Sequence, residues 1–181
     1  MKKLVILALP VALAACGGGA SWRDNITPDT NFKIESANVN LESKCPAPGF
    51  MTQGQLADEF TRGINKTFCA VKTCVAKADE NTVTVIPRVD YKRTMMGEAV
   101  SCSESFAGSS MAYGFDLKKN GEIFYSRQPS GNWNPDRGMF GNLGRIATQL
   151  SFTGGVENEK SDVTEHLAPG LGKQIAKDLG K

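Results

Sequence analysis

The stretch Thr82-Val-Thr-Val-Ile-Pro-Arg-Val-Asp-Tyr-Lys-Arg93 decides the fold class. Val83, Val85, Val89 and Tyr91 fall on one side of an extended chain, and Thr84, Arg88, Asp90 and Lys92 fall on the other. Side chains alternate across a strand with a period of two, so this stretch reads as a strand with one buried and one wet face. Pro87 has no N–H to give to a ladder, which argues for an edge position or a bulge. Arg88, Lys92 and Arg93 mark the polar face and the strand's end. A phosphate or lipid A contact fits there, although Asp90 dilutes the charge.

Downstream, Met111, Tyr113, Phe115 and Leu117 alternate in the same way and run into Lys118-Lys119-Asn120-Gly121. Residues 122–127 then return as a second strand. A two-residue Asn-Gly turn would set Leu117 opposite Phe124 and push Ile123 and Tyr125 to the polar face. A three-residue turn with Gly121 left-handed sets Leu117 opposite Ile123 and Phe115 opposite Tyr125. Both turns are common, but the second buries both apolar faces together and is the expected register.

Upstream, residues 31–41 alternate with a loss of phase. Phe32 and Ile34 share a face, and Ala37, Val39 and Leu41 resume one residue out of step, which predicts a bulge near Ser36. Residues 53–71 repeat every fourth position through Leu56, Phe60, Ile64 and Phe68, with Ala57 and Val71 widening the stripe and Thr52 as N-cap. Met139, Leu143, Ile146, Ala147 and Leu150 predict a second helix. Residues 154–160 read as a polar connector, and Leu171, Ile175 and Leu179 predict a last helix starting at Asp162 or at Pro169. The expectation is one α+β domain over residues 31–181, an antiparallel sheet of about four strands with helices packed on one face.

Cys45, Cys69, Cys74 and Cys102 sit in this domain. No Cys-x-x-Cys pair occurs and His166 is the only histidine, so two disulfides fit better than a zinc site. Topology orders the pairs. With the first strand running up, Cys45 lies at the top; the helix returns downward and leaves Cys69 and Cys74 at the bottom. The strand from Thr82 runs up again and places Cys102 at the top. A helix of about 27 Å keeps the ends apart, and a bridge needs Cα atoms within about 7 Å. The expected bridges are Cys45–Cys102 and Cys69–Cys74.

The chain opens Met1-Lys2-Lys3 and continues from Leu4 to Ala15 without a charge. Two lysines before a short apolar run match a secretory signal, and a permanent span would need about 20 apolar residues. The run ends Leu13-Ala14-Ala15-Cys16, which resembles the lipobox of bacterial prolipoproteins. That resemblance implies that residues 1–15 are cut away and that Cys16 carries a diacylglycerol anchoring the chain to a bilayer. Gly17 is not the aspartate that retains such lipoproteins in the inner membrane, so the resemblance implies the outer membrane. The Gly-rich residues after Cys16 read as flexible linker, with the tether spanning residues 16–30.

Without Lys2 and Lys3 the 21 basic residues become 19, equal to the 19 acidic ones. A neutral body gives no reason to expect nucleic acid as a partner. His166 lies in a polar stretch beside Glu165 and reads as a surface residue; Asp58-Glu59 falls on the helix's polar side. No cofactor-binding, metal or catalytic pattern emerges, so a non-enzymatic role is expected. Two long loops, residues 94–108 and 128–138, carry Met95, Met96, Phe106 and Trp133 as candidate partner contacts. The leading expectation is a tethered binding or assembly module of an envelope complex with a protein partner. The alternative is a lipoprotein that binds a small ligand or inhibits a hydrolase; an apolar cavity between helices and sheet would favour it.

Overall fold

The computed structural model describes residues 21–98, 102, 105–133 and 155–180. The expected signal of residues 1–15, Cys16 and the helical pattern of residues 139–150 lie outside these residues. The described chain is a mixed α+β structure with a five-stranded, mostly antiparallel sheet: β1 Asn31–Ile34, β2 Asn38–Ser43, β3 Thr82–Met95, β4 Phe106–Lys119 and β5 Glu122–Trp133. Across the sheet the order is β1-β3-β4-β5, and β2 continues the line of β1 along the same side of β3. Both β1 and β2 run parallel to β3, which corrects a purely antiparallel sheet. Helix α1, Gln53–Phe68, is the crossover that makes this parallel pairing possible.

The phase break near Ser36 separates β1 from β2. Its cause lies in the neighbouring strand. Glu35 N–H donates to the Val85 carbonyl at 3.0 Å, so the polar groups of Val85, and of Pro87 two residues on, face this edge. Pro87 has nothing to donate there, and β1 ends opposite Val85 while β2 resumes opposite Arg88. Pro87 thus sits in a central strand, not an edge one, and its missing donor falls where the neighbour is interrupted. Ala37 N–H turns instead to the Thr61 hydroxyl of α1 at 2.8 Å.

Helix α1 starts at a capping box in which Thr52 accepts from Gln55 N–H and Gln55 reaches back to Thr52 N–H. Leu56, Phe60, Ile64 and Phe68 are buried in full against Val83, Val85, Val89 and Tyr91 of β3 and Met111, Tyr113, Phe115 and Leu117 of β4. Val71 does not extend the stripe: the helix stops at Phe68, and Val71 is exposed in the loop closed by a disulfide. The bridges are Cys45–Cys102 and Cys69–Cys74, with Cα atoms 5.5 and 5.4 Å apart.

The expected connector at residues 154–160 is helical where it is described, from Gly155 on. Gly155–Ser161 (α2) runs into a wider turn, Asp162–Leu167, and then into Ala168–Leu179 (α3). Pro169 removes a donor and crowds the preceding turn, and the wider turn accommodates it, with Ala168 N–H bonding back to Val163. Leu171, Ile175 and Leu179 face the core, as their spacing predicts. Gly172 lets α3 lie against α1, since a Cβ there would meet Thr67 Oγ1 at 2.1 Å.

The β4–β5 turn differs from expectation. Lys119 pairs with Glu122 across a two-residue turn in which Asn120 and Gly121 have φ of 52° and 88°. Ile123 then lies opposite Lys118 and is exposed, and a bulge after it returns Tyr125 to a place opposite Leu117. The misfit between turn and apolar pattern is resolved one step into the strand rather than in the turn.

Candidate functional site

The site lies on the face of the sheet turned away from α3 and on the β2 edge, where that face meets the first turn of α1. Register sets three rows across this face. Asn38, Arg88 and Gly114 form the first, Asn40, Asp90 and Ala112 the second, and Glu42, Lys92 and Ser110 the third. Each row passes from a polar residue on β2 through a charged one on β3 to a small one on β4. Small residues along β4 sink its surface, and β5 rises beside it. Gly114 is required by that rise: a Cβ there would meet the Arg127 carbonyl at 2.0 Å and the Pro129 nitrogen at 2.7 Å. Strand β5 itself carries three register shifts and Pro129, features that blunt an edge against further strand pairing.

The result is a polar trough with two clefts. The larger, of about 530 Å³, lies between residues 37–40 at the start of β2, residues 53, 54 and 57 of α1, residues 88–90 of β3 and the β5 pair Gln128 and Pro129. The smaller, of about 230 Å³, continues along Glu42, Lys92, Ser110, Gly131 and Asn132. Asn40 and Asp90 line both. Arg88 is set by Asp116 at 2.5 Å and by Gln128 Oε1 at 3.0 Å. The remaining contacts are looser: Asn40 Nδ2 donates to Asp90 at 3.3 Å, and Lys92 lies 3.5 Å from Glu42. Exposed contacts of this kind contribute little to stability and exchange readily for contacts with another molecule.

The other face holds Arg93, and this corrects the sequence expectation. Two residues beyond Tyr91 it falls on the core side of β3 and is 4 % exposed. Its Nε and Nη2 donate to both oxygens of Glu159 on α2 at 2.7 and 3.0 Å, and Nη2 also donates to the Met51 carbonyl at 2.6 Å. Glu159 further accepts from Met51 N–H at 3.1 Å and from the Tyr91 hydroxyl at 3.2 Å. Burial, and after it the Glu159 carboxylate, push the Tyr91 hydroxyl far above the ordinary tyrosine range. Tyr113 is pushed up as well, first by burial and then by its hydrogen bond to Asp178.

The expected contact residues are dispersed. Met95 is buried with Cys45 and Phe50, so it is core and not surface. Phe106 packs partly on that cluster, with its ring 6.3 Å from Phe50. Met96 is half-buried, its N–H donating to the Ser105 carbonyl. Trp133 lies at the end of β5, not in a loop, and meets Tyr113 edge-on at 5.6 Å. These side chains fold back because β3 and β5 run further, and β4 starts earlier, than their sequences suggest. His166 is exposed on the wide helical turn, and Asp58 and Glu59 lie on the outer side of α1, with Glu59 paired to Arg62 at 2.7 Å. Among the described residues no three His, Cys, Asp or Glu side chains converge as a metal site would require.

Sequence reasoning missed the trough and Glu159. The trough leaves a readable trace, small residues at alternate positions 110, 112 and 114 between large apolar ones. Glu159 leaves none. Compared with known proteins, the chain matches no family model, no curated protein and no solved structure.

Proposed function

We propose that this chain is a membrane-anchored envelope lipoprotein acting as a non-enzymatic binding and assembly module, and that it meets its partner through the trough. The observation that carries this reading is the set of three aligned rows, Asn38–Arg88–Gly114, Asn40–Asp90–Ala112 and Glu42–Lys92–Ser110. They present hydrogen-bonding groups of both signs beside a shallow floor, which suits a polar protein segment laid along the strands. The acyl group implied by Leu13-Ala14-Ala15-Cys16 would hold the module on the outer membrane. Holding it there raises its effective concentration toward other envelope proteins, so a modest interface suffices.

The alternative, a lipoprotein that binds a small ligand or blocks a hydrolase, draws on the same cleft. A volume of about 530 Å³ lies within the range of ligand pockets. Its walls mix polar groups with Val39, Ala57 and Val89, so they suit a ligand with both polar and apolar parts.

Affinity purification from mildly solubilised membranes tests the leading reading. Wild type is expected to carry an acyl mass on Cys16 and to bring down one stoichiometric envelope protein. Asn40→Arg with Asp90→Arg is expected to stay in the membrane and lose that partner; Cys16→Ala is expected to leave the membrane. Retention of the partner by the trough variant contradicts the assignment of the face.

A further inference from the structure

We infer that the end of the domain nearest the tether is seated on the bilayer surface, with Ile123 and Val71 as its apolar contacts; this rests on the acylation of Cys16 proposed above. Three observations converge on it. The first is where the fold begins. Residues up to 30 were expected to be tether, but Trp22 and Ile26 pack against the core, and the Trp22 ring stacks on Tyr125 at 4.6 Å. The short helix that carries Trp22 is capped by Ser21, so the chain is held to the domain from there. Five residue steps separate Ser21 from Cys16, and they span at most about 18 Å even when fully extended. Strand β3, with 14 residues, is about 45 Å long. An anchor on so short a leash holds that end of the domain within reach of the membrane, and the surface it presents there sets the tilt.

The second observation is which parts of the chain lie at that end. Tyr125, the partner of Trp22, is two residues from Ile123, which pairs with Lys118 just before the β4–β5 turn. The starts of β1 and β3 lie in the same place, since Asn31 pairs with Thr82 and Thr84 with Lys118. The end of α1 joins them: Phe32 N–H donates to the Thr73 carbonyl, and Phe68 meets Phe32 edge-on at 5.4 Å. The loop closed by Cys69–Cys74 therefore faces the same way as the β4–β5 turn.

The third is chemical. Among the described residues the large apolar side chains left exposed are Val71 at 66 % and Ile123 at 54 %. One is in the disulfide loop and the other begins β5, so both lie at the tether end. Singly, such residues need no explanation. Here the anchor makes their contact with lipid intramolecular, and a small apolar gain is enough to fix the tilt of the domain. Lysines at 66, 72, 77 and 119 at this end are offset in part by Asp79, Glu80 and Glu122. In this orientation the Cys45–Cys102 end points away from the membrane.

The test uses acylated full-length protein reconstituted into phosphatidylcholine vesicles with bromine-labelled acyl chains, which quench tryptophan only where a side chain reaches them. Ile123→Trp and Val71→Trp are compared with Lys44→Trp, an exposed position beside Cys45 at the opposite end. Flotation and intact mass report the anchor separately. Quenching at both tether-end positions about twofold greater than at Lys44→Trp is the expected result, because only a seated surface reaches the acyl layer. Protein that floats with its acyl mass but shows no greater quenching at either position overturns the seating and leaves the anchor standing. Protein that neither floats nor carries the mass fails at the anchor, and the seating falls with it.

Discussion

Arg88 and Arg93 lie five residues apart on one strand, face opposite sides of the sheet, and each meets a buried carboxylate. Arg93 and Glu159 are 4 % and 0 % exposed, and every oxygen of Glu159 is engaged by Arg93, Met51 or Tyr91. Arg88 is 30 % exposed over Asp116, whose Oδ1 has no hydrogen-bond partner. The first pair is a closed lock that joins β3, the segment before α1 and α2. The second stands at the wall of an open cleft, with one guanidinium edge on Asp116 and another on Gln128. The same chemistry closes the core on one face and lines an open cleft on the other, and solvent access separates the two.

That contrast can be broken at both sites. Arg93→Ala leaves Glu159 charged and unpaired in the core and is expected to cost about 3 to 5 kcal/mol, read by denaturant unfolding. Replacing both partners together, Arg93→Met with Glu159→Leu, should recover most of that loss, because the desolvation of two charges is removed with them. Arg88→Ala should cost less, about 1 to 3 kcal/mol, since water reaches Asp116 once the side chain is gone.

Tyr91→Phe removes one hydrogen bond to Glu159 and should cost about 1 kcal/mol at neutral pH. It also has a pH signature. The folded protein keeps the Tyr91 proton where the unfolded chain, with a pKa of about 10, has released it. Stability is therefore expected to fall as pH rises above about 10, and this fall should be shallower in Tyr91→Phe when melting is followed between about pH 8 and 11. At the small end of the scale, Lys92→Ala in the trough should shift stability by less than about 0.5 kcal/mol, since its partner Glu42 is itself exposed.

Much of the fold was legible because its elements carry strong periods. The α1 stripe, the alternation of β3 and β4, the phase break near Ser36 and both disulfide pairs follow from spacing and topology. The parallel pairing of β1 and β2 was implicit in the up–down–up order, yet strand alternation alone does not report direction. Two details were set by non-local competition. The turn at Asn120-Gly121 took its own preferred two-residue form, and the apolar faces were realigned by a bulge. Arg93 reads as a wet-face residue because its buried partner lies 66 residues away in a stretch that looks polar. The trough was illegible for a related reason: its rows exist only once register brings β2, β3 and β4 side by side.

The claim that the trough is the binding face is tested most directly by photo-crosslinking in intact cells. A crosslinking amino acid at Asn40 or Asn132 is compared with one at Lys173, an exposed position of α3. A single discrete adduct from the two trough positions and none from Lys173 is the predicted result. Adducts from Lys173, with none from Asn40 or Asn132, would place the partner on the helical side and contradict it.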